Sequence, residues 1–187
     1  MKVFLASNIS SHALIIRLTD SSISLRRNIP KADDLNSGSI ELKLRILLVD
    51  DAVLCRKFHR RILAPSCHEI LEASNGQEAV ERVRESMQSG VQIDGILMDS
   101  SMPFMNGTTA AKLIREMGFE GLIFGVTGNA FQSDIDDFIA HGVNEVLIKP
   151  LSVERYSYIV NCILNRAADG DTSMSSDANW YKIEKQP

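Results

Sequence analysis

The sequence lacks the features that mark secreted, membrane-spanning or nucleic-acid-binding proteins. Its three cysteines, Cys55, Cys67 and Cys162, are odd in number and have no CxxC or Cys/His ligand spacing, so we expect reduced thiols rather than a disulfide or zinc site. No apolar run reaches the length of about 18 residues that a membrane span requires, and the apolar stretch after Met1 is too short for a signal peptide. The net charge of −4 gives no basic surface for nucleic acid. These absences predict a soluble, cytoplasmic protein without a membrane span or direct nucleic-acid contacts.

The composition is that of an ordinary globular protein, with 44% hydrophobic and 24% charged residues in a chain of 187. Residues 1–43 are rich in small polar residues and are predicted to be an N-terminal extension and linker, partly disordered. Within it, residues 13–25 fit either two short strands about a turn or a disordered leader. Residues 44–166 form the predicted domain, and residues 167–187 are a polar tail.

Strand and helix patterns alternate regularly through residues 44–166. The predicted strands lie at about 45–50, 69–73, 93–98, 122–126 and 145–148, and each is followed by a segment with helical spacing of apolar residues. In the first helix, at about 52–63, the apolar side carries Val53, Leu54, Phe58, Ile62 and Leu63. Continuous apolar strands joined by helices favour an α/β fold with a doubly wound, five-stranded parallel sheet and helices on both faces.

Polar side chains follow four of these strands at the point where each strand ends. Asp50 and Asp51 follow the first strand, Asp99 the third, Thr127 the fourth and Lys149 the fifth. Because an open α/β sheet forms its binding crevice at the carboxyl ends of its strands, we expect these side chains to converge. Three carboxylates, a hydroxyl and an ammonium in one place predict a site for a divalent cation and a transferable anion.

A bound divalent cation would explain why three carboxylates are clustered. Like charges close together destabilise a fold unless a cation neutralises them, and Mg²⁺ prefers carboxylate oxygens. A helix N-cap is an alternative role for Asp50 and Asp51, but it accounts for neither Asp99 nor Lys149. A carboxylate is also a competent nucleophile toward phosphorus, so the residues predict a metal-assisted phosphoryl acceptor.

Several segments between Leu44 and Arg166 resemble the receiver domain of two-component response regulators. The resemblance rests on the residues around Asp50–Asp51, on the loop that runs from Asp99 to Gly107, on Val126–Ala130, on Lys149–Pro150 and on Glu72–Ala79. The segment Thr127–Ala130 is most similar to receivers attached to hybrid histidine kinases. The resemblance implies a flavodoxin-like sheet of strand order 2-1-3-4-5.

The resemblance also implies a magnesium site. Asp51 and Asp99 would bind Mg²⁺ directly, Asp50 would support it through water, and the backbone carbonyl of Ser101 would be a further ligand. Asp99 would accept the phosphoryl group, with Thr127 hydrogen-bonded to a phosphoryl oxygen.

Lys149 would pair first with the acceptor carboxylate and then with the phosphate, and the peptide before Pro150 would be cis. One departure from the family is Val146, which stands three residues before the lysine where an aromatic residue is usual.

The predicted function is phosphorelay signal transduction, in which a histidine kinase or histidine phosphotransfer protein phosphorylates Asp99 and the phosphoprotein acts as a switch. As an isolated chain it would show only Mg²⁺-dependent self-phosphorylation and dephosphorylation, because kinase activity needs other domains. One alternative is a receiver fragment of a larger hybrid histidine kinase. Another is a phosphatase with an aspartyl-phosphate intermediate, which the hydroxyl of Ser101 disfavours because such enzymes have an acid at that position.

The remaining charged residues are predicted to be peripheral. The basic residues of the first helix, among them Arg56 and Arg60, are interpreted as a solvated face or as a docking edge for an acidic partner. All four histidines are predicted to be surface or loop residues: His12, His59, His68 and His141.

Overall fold

The computed structural model describes residues 44–169, with side chains described as far as residue 166. Five strands and five α-helices alternate in this part of the chain, and a short 3-10 turn, Ala64–Ser66, precedes the second strand. The strands are β1 Leu44–Val49, β2 Cys67–Ala73, β3 Gly95–Asp99, β4 Leu122–Thr127 and β5 Glu145–Ile148. The helices are α1 Val53–Leu63, α2 Gly76–Ser89, α3 Gly107–Glu116, α4 Gln132–Ala140 and α5 Val153–Asp169.

The sheet has the strand order β2-β1-β3-β4-β5, and every neighbouring pair is parallel. The predicted doubly wound, flavodoxin-like architecture is therefore confirmed. The predictions for residues 1–43 and for most of the tail concern residues outside those described. Among residues 44–169, each helix is too short or too polar to cross a lipid bilayer.

Apolar cores lie on both faces of the sheet. Leu47 and Val49 point into the core that α2, α3 and α4 cover, whereas Ile46 and Leu48 point into the core that α1 and α5 cover. Successive side chains of a strand point to opposite faces, so a strand covered on both sides needs apolar residues at every position. This arrangement explains the continuous apolar runs of the sequence.

Helix α1 differs from its predicted packing. Val53, Leu54 and Phe58 are exposed, with Leu54 at 80% of its full accessibility, so the prediction of one apolar side is wrong for the first half of the helix. The buried residues of α1 are His59 and Leu63. These two lie four residues apart and therefore share one face, which is the face turned to the sheet.

Candidate phosphoryl and metal site

The strand ends bring the predicted polar residues to one edge of the sheet. Asp50 directly follows β1, Asp99 ends β3, Thr127 ends β4, and Lys149 directly follows β5. Strands β1 and β3 are neighbours although they are not consecutive in sequence. From β1 the chain continues to β2 on one side of this pair, and from β3 it continues to β4 on the other side. The site thus lies at the switch point where open α/β sheets place their ligands.

Three carboxylates form the acidic part of this site. One oxygen from each of Asp50, Asp51 and Asp99 lies within 4.8 Å of the others, and Asp51 is exposed while the other two are buried. Asp50 and Asp51 do not cap α1, because Ala52 holds the N-cap position. Asp50 Oδ1 instead accepts a hydrogen bond of 2.8 Å from the backbone amide of Ala52. The three carboxylates offer the oxygen ligands that a hard divalent cation such as Mg²⁺ requires.

The ammonium of Lys149 joins two of these carboxylates. Its Nζ donates to Asp99 Oδ2 at 2.8 Å and to Asp50 Oδ2 at 3.0 Å. The backbone fixes the lysine, because its amide donates to the carbonyl oxygen of Thr127 at 2.7 Å. The Lys149–Pro150 peptide is cis, as the family resemblance implied.

The surroundings of the two buried carboxylates, Asp50 and Asp99, shift their pKa values in opposite directions. Burial raises the pKa of Asp50, but contacts with His59, Lys149 and the Ala52 amide outweigh it and lower that pKa to about 2. Burial raises the pKa of Asp99, and its contacts with Lys149 only partly oppose this effect, while the charge of Asp50 adds to it. Burial lowers the pKa of Lys149, but its bonds to Asp99 and Asp50 outweigh this and raise it. Of these two buried carboxylates, Asp99 is therefore the one whose ionised form is disfavoured by its surroundings.

Three of the other predicted site residues line the opening beside Asp99. Ser101, Thr127 and Lys149 line the same cavity as Asp99. The Thr127 hydroxyl oxygen accepts a bond of 3.0 Å from the Asn129 amide, and the Asn129 side chain in turn binds Asp134 on α4. The hydroxyl is thus tied to the loop that leads into α4.

Gly107 lets the loop after β3 close tightly over the site. A Cβ atom at this position would lie 2.1 Å from the carbonyl oxygen of Asp99, far inside van der Waals contact. The Gly107 amide donates to the Ser100 carbonyl at 3.0 Å, and Asn106 caps α3 by accepting from the Thr109 amide at 2.8 Å. Any larger residue at 107 would displace the end of β3 and with it Asp99.

His59 is a residue of this region that the sequence reasoning missed. It is 7% exposed and lies on the sheet-facing side of α1, so its prediction as a surface or loop residue is wrong. His68 is exposed as predicted, His141 is half-buried at the end of α4, and His12 lies outside the described residues. The partner of His59, Tyr156, lies 97 positions away on α5, and no local pattern signals that contact.

Arg56 also has a role beyond the predicted solvated face. Its guanidinium donates to the backbone carbonyls of Asp50 at 2.6 Å and Asp51 at 3.2 Å, and to the Glu72 carboxylate at 3.2 Å. Arg60 binds the same carboxylate at 2.6 Å. These contacts tie the loop that carries the acidic pair to β2, and they pair part of the basic surface of α1 within the domain.

Comparisons with known proteins agree with this geometry. The model of the response regulator receiver domain family matches residues 46–161. Two-component response regulator 24 of Arabidopsis thaliana is 37% identical over 121 residues, which cover 65% of this chain and 84% of that protein. The osmosensing histidine protein kinase SLN1 of Saccharomyces cerevisiae is 35% identical over 129 residues, which cover 67% of this chain and 10% of the kinase. Among solved structures, a chain of the CheX-CheY-BeF3-Mg²⁺ complex from Borrelia burgdorferi has a TM-score of 0.59 at 24% identity, covering 65% of this chain and 89% of that one.

Proposed function

This chain belongs to the family of response regulator receiver domains, and on that premise we propose that Asp99 is its phosphoryl acceptor. Receiver domains of two-component systems take their phosphate from histidine kinases or histidine phosphotransfer proteins, and we infer such a partner here. We assign the activity to residues 44–166, with residues 1–43 and 167–187 as flanking segments, and we expect it to operate in the cytoplasm. This assignment applies whether the receiver acts alone or as part of a hybrid kinase.

We infer that Mg²⁺ is the cofactor, because the donor set is made of hard oxygen ligands. Asp51 and Asp99 would bind the ion directly, Asp50 through water, and Ser101 through its backbone carbonyl. Bound Mg²⁺ supplies positive charge that offsets the charge on the phosphoryl oxygens. The raised pKa of Asp99 supports this inference, since burial and the charge of Asp50 leave its ionised form short of compensation.

In the proposed reaction, a carboxylate oxygen of Asp99 attacks phosphorus in line with the phosphohistidine nitrogen. The new bond is O–P and the broken bond is P–N, and the leaving imidazole keeps the electron pair and takes a proton from water. Lys149 pairs with the Asp99 carboxylate before transfer and with the phosphoryl oxygens after it, while the Thr127 hydroxyl donates a hydrogen bond to one of those oxygens.

The single observation that carries this proposal is the position of the Lys149 ammonium, 2.8 Å from Asp99 and 3.0 Å from Asp50. The ammonium thus already lies beside the carboxylate that would carry the phosphoryl group, where it can pair with the phosphoryl oxygens after transfer. The solved complex of similar fold, named for its BeF3 and Mg²⁺, also supports the proposal.

The test is transfer of radiolabelled phosphate from a phosphorylated histidine phosphotransfer protein. We expect label on the wild-type chain with Mg²⁺, and none with excess EDTA or in Asp99→Asn. Asp136→Asn, an exposed aspartate of α4, is the matched control and is expected to be labelled normally. Equal labelling of Asp99→Asn and wild type would refute the assignment. Sustained turnover of p-nitrophenyl phosphate would instead favour the hydrolase alternative.

A further inference from the structure

His59 lies between the acidic cluster and α5, where no role has been assigned to it. Its side chain is 9% exposed, and its ring contacts that of Tyr156 at a centroid separation of 5.7 Å. Leu63, one turn further along the same face, is an ordinary apolar core residue. A buried imidazole is costly unless its nitrogens have partners.

Both ring nitrogens of His59 face polar atoms. Nδ1 lies 2.6 Å from the Tyr156 hydroxyl, and Nε2 lies 3.9 Å from Asp50 Oδ2. The first contact is a hydrogen bond, whereas the second is too long for one and acts as an electrostatic contact. If the tyrosine hydroxyl donates to Nδ1, the proton of the neutral ring is on Nε2 and points to the carboxylate.

Asp50 Oδ2 therefore faces two cationic or donor groups, Lys149 and His59. The proposed reaction requires Lys149 to turn from the carboxylates to the phosphoryl group. When it does so, His59 is the side-chain donor that still faces Oδ2, while the Ala52 amide holds Oδ1. The histidine is itself fixed by Tyr156, so it can keep the carboxylate in one orientation.

We propose that His59 is a positioning residue for the acidic site: through Nε2 it orients Asp50 toward the metal, and through Nδ1 it is anchored to Tyr156 on α5. This inference rests on the proposed function, because it gives Asp50 a role in Mg²⁺ binding. It concerns a residue outside the set implied by the family resemblance. Partners that orient metal-facing groups affect metal affinity by 10- to 100-fold in other proteins.

Two substitutions separate the Nε2 contact with Asp50 from the Nδ1 contact with Tyr156, because each places an amide at the position of one ring nitrogen. In His59→Gln the side-chain amide reaches the position of Nε2 and can still donate toward Asp50, whereas in His59→Asn it reaches only the position of Nδ1. We expect His59→Asn to weaken Mg²⁺ binding about tenfold, and His59→Gln to restore it to within about threefold of wild type. His68→Asn, an exposed histidine near the start of β2 at the opposite edge of the sheet, is the matched control.

The measurement is a Mg²⁺ titration of the full chain followed by amide NMR shifts of Asp51, Asp99 and Ser101, with the melting temperature recorded in parallel. A purely structural histidine would make both variants less stable and leave both Mg²⁺ affinities unchanged, and that result would overturn the proposal. Equal weakening by Asn and Gln would also overturn it, because the Nε2 contact would then be irrelevant.

A third variant keeps the inference testable if His59→Asn does not fold. Tyr156→Phe preserves the ring and removes only the hydroxyl that anchors Nδ1, so we expect Mg²⁺ affinity to fall by about two- to threefold; unchanged affinity would contradict the proposal. Absence of any Mg²⁺-dependent shift in the wild-type chain would refute the proposed function together with this inference. A normal wild-type response with an unchanged His59→Asn response would refute this inference alone.

Discussion

Asp50→Asn and Asp51→Asn are expected to change the stability of the Mg²⁺-free protein in opposite directions, although the two aspartates are adjacent. Asp50 is buried and has Lys149, His59 and the Ala52 amide as partners. Asp51 is exposed and contributes a third negative charge to the cluster. Loss of the first charge removes attraction, whereas loss of the second removes repulsion.

The magnitude for Asp50 follows from its pKa. Its value falls from 3.8 to about 2 on folding, which corresponds to about 2 kcal/mol of stabilisation. Because the folded pKa is the lower one, this stabilisation is present above pH 3.8 and is lost as the pH falls through about 2. At pH 7, Asp50→Asn is therefore expected to lower the free energy of unfolding by about 2 kcal/mol.

The magnitude for Asp51 follows from distance and exposure. Two unit charges about 4 to 5 Å apart repel by about 1 kcal/mol in a water-like dielectric, and the cluster atoms lie within 4.8 Å of one another. Lys149 offsets the charge of one of the two neighbouring carboxylates. Asp51→Asn is therefore expected to raise the melting temperature without Mg²⁺ by roughly 3 to 5 °C.

The assay is urea and thermal unfolding followed by circular dichroism in EDTA, with Asp136→Asn as the control for loss of an exposed aspartate. Adding Mg²⁺ at ten times its dissociation constant is expected to stabilise the wild type by about 1.4 kcal/mol and Asp51→Asn hardly at all. If both variants lose stability in EDTA, or if Mg²⁺ stabilises Asp51→Asn as much as wild type, the electrostatic reasoning is wrong.

Three further predictions concern the acceptor, the lysine and the switch. The pKa of Asp99 is raised on folding, so its ionised form destabilises the fold at pH 7. Asp99→Asn is therefore expected to increase the free energy of unfolding at pH 7. Urea titrations should show this increase becoming smaller as the pH falls toward 3.8. Lys149→Met is expected to slow phosphoryl transfer roughly 100-fold, measured as initial labelling rate, and an unchanged rate would contradict its role. Val146 has a short, β-branched side chain that cannot swing as an aromatic side chain would. Beryllofluoride is therefore expected to shift the amide NMR signals of residues 127–135 more than those of residues 144–148. Larger shifts on β5 would contradict the expectation that the conformational change passes through the loop into α4.

The sheet and the strand-end residues could be predicted from the sequence because one pattern, an apolar run followed by a polar residue, recurs along the chain. The inner strands β1, β3 and β4 are buried on both faces and read as nearly continuous apolar runs, such as Ile46–Val49. The polar residue after such a run then lies at the carboxyl edge of the sheet. Asp50, Asp99 and Lys149 meet there although up to 99 positions separate them.

The surroundings of α1 could not be predicted in the same way. Val53, Leu54 and Phe58 have helical spacing but are exposed, and the helix instead turns its His59–Leu63 face toward the sheet. A histidine among the basic residues of this helix reads as a surface residue unless its partner is known. Here the partner is Tyr156 on α5, which comes from the other end of the domain.

The most direct test of the central claim is to locate the phosphoryl group on the chain. The protein is incubated with Mg²⁺ and acetyl phosphate, and the acyl phosphate is reduced with borohydride, which converts a phosphorylated aspartate to homoserine. Peptide mass spectrometry is then expected to find homoserine at position 99, dependent on Mg²⁺ and absent from Asp99→Asn. Modification at Asp50 or Asp51 in place of Asp99, or incorporation that persists in Asp99→Asn, would contradict the assignment of Asp99 as the phosphoryl acceptor.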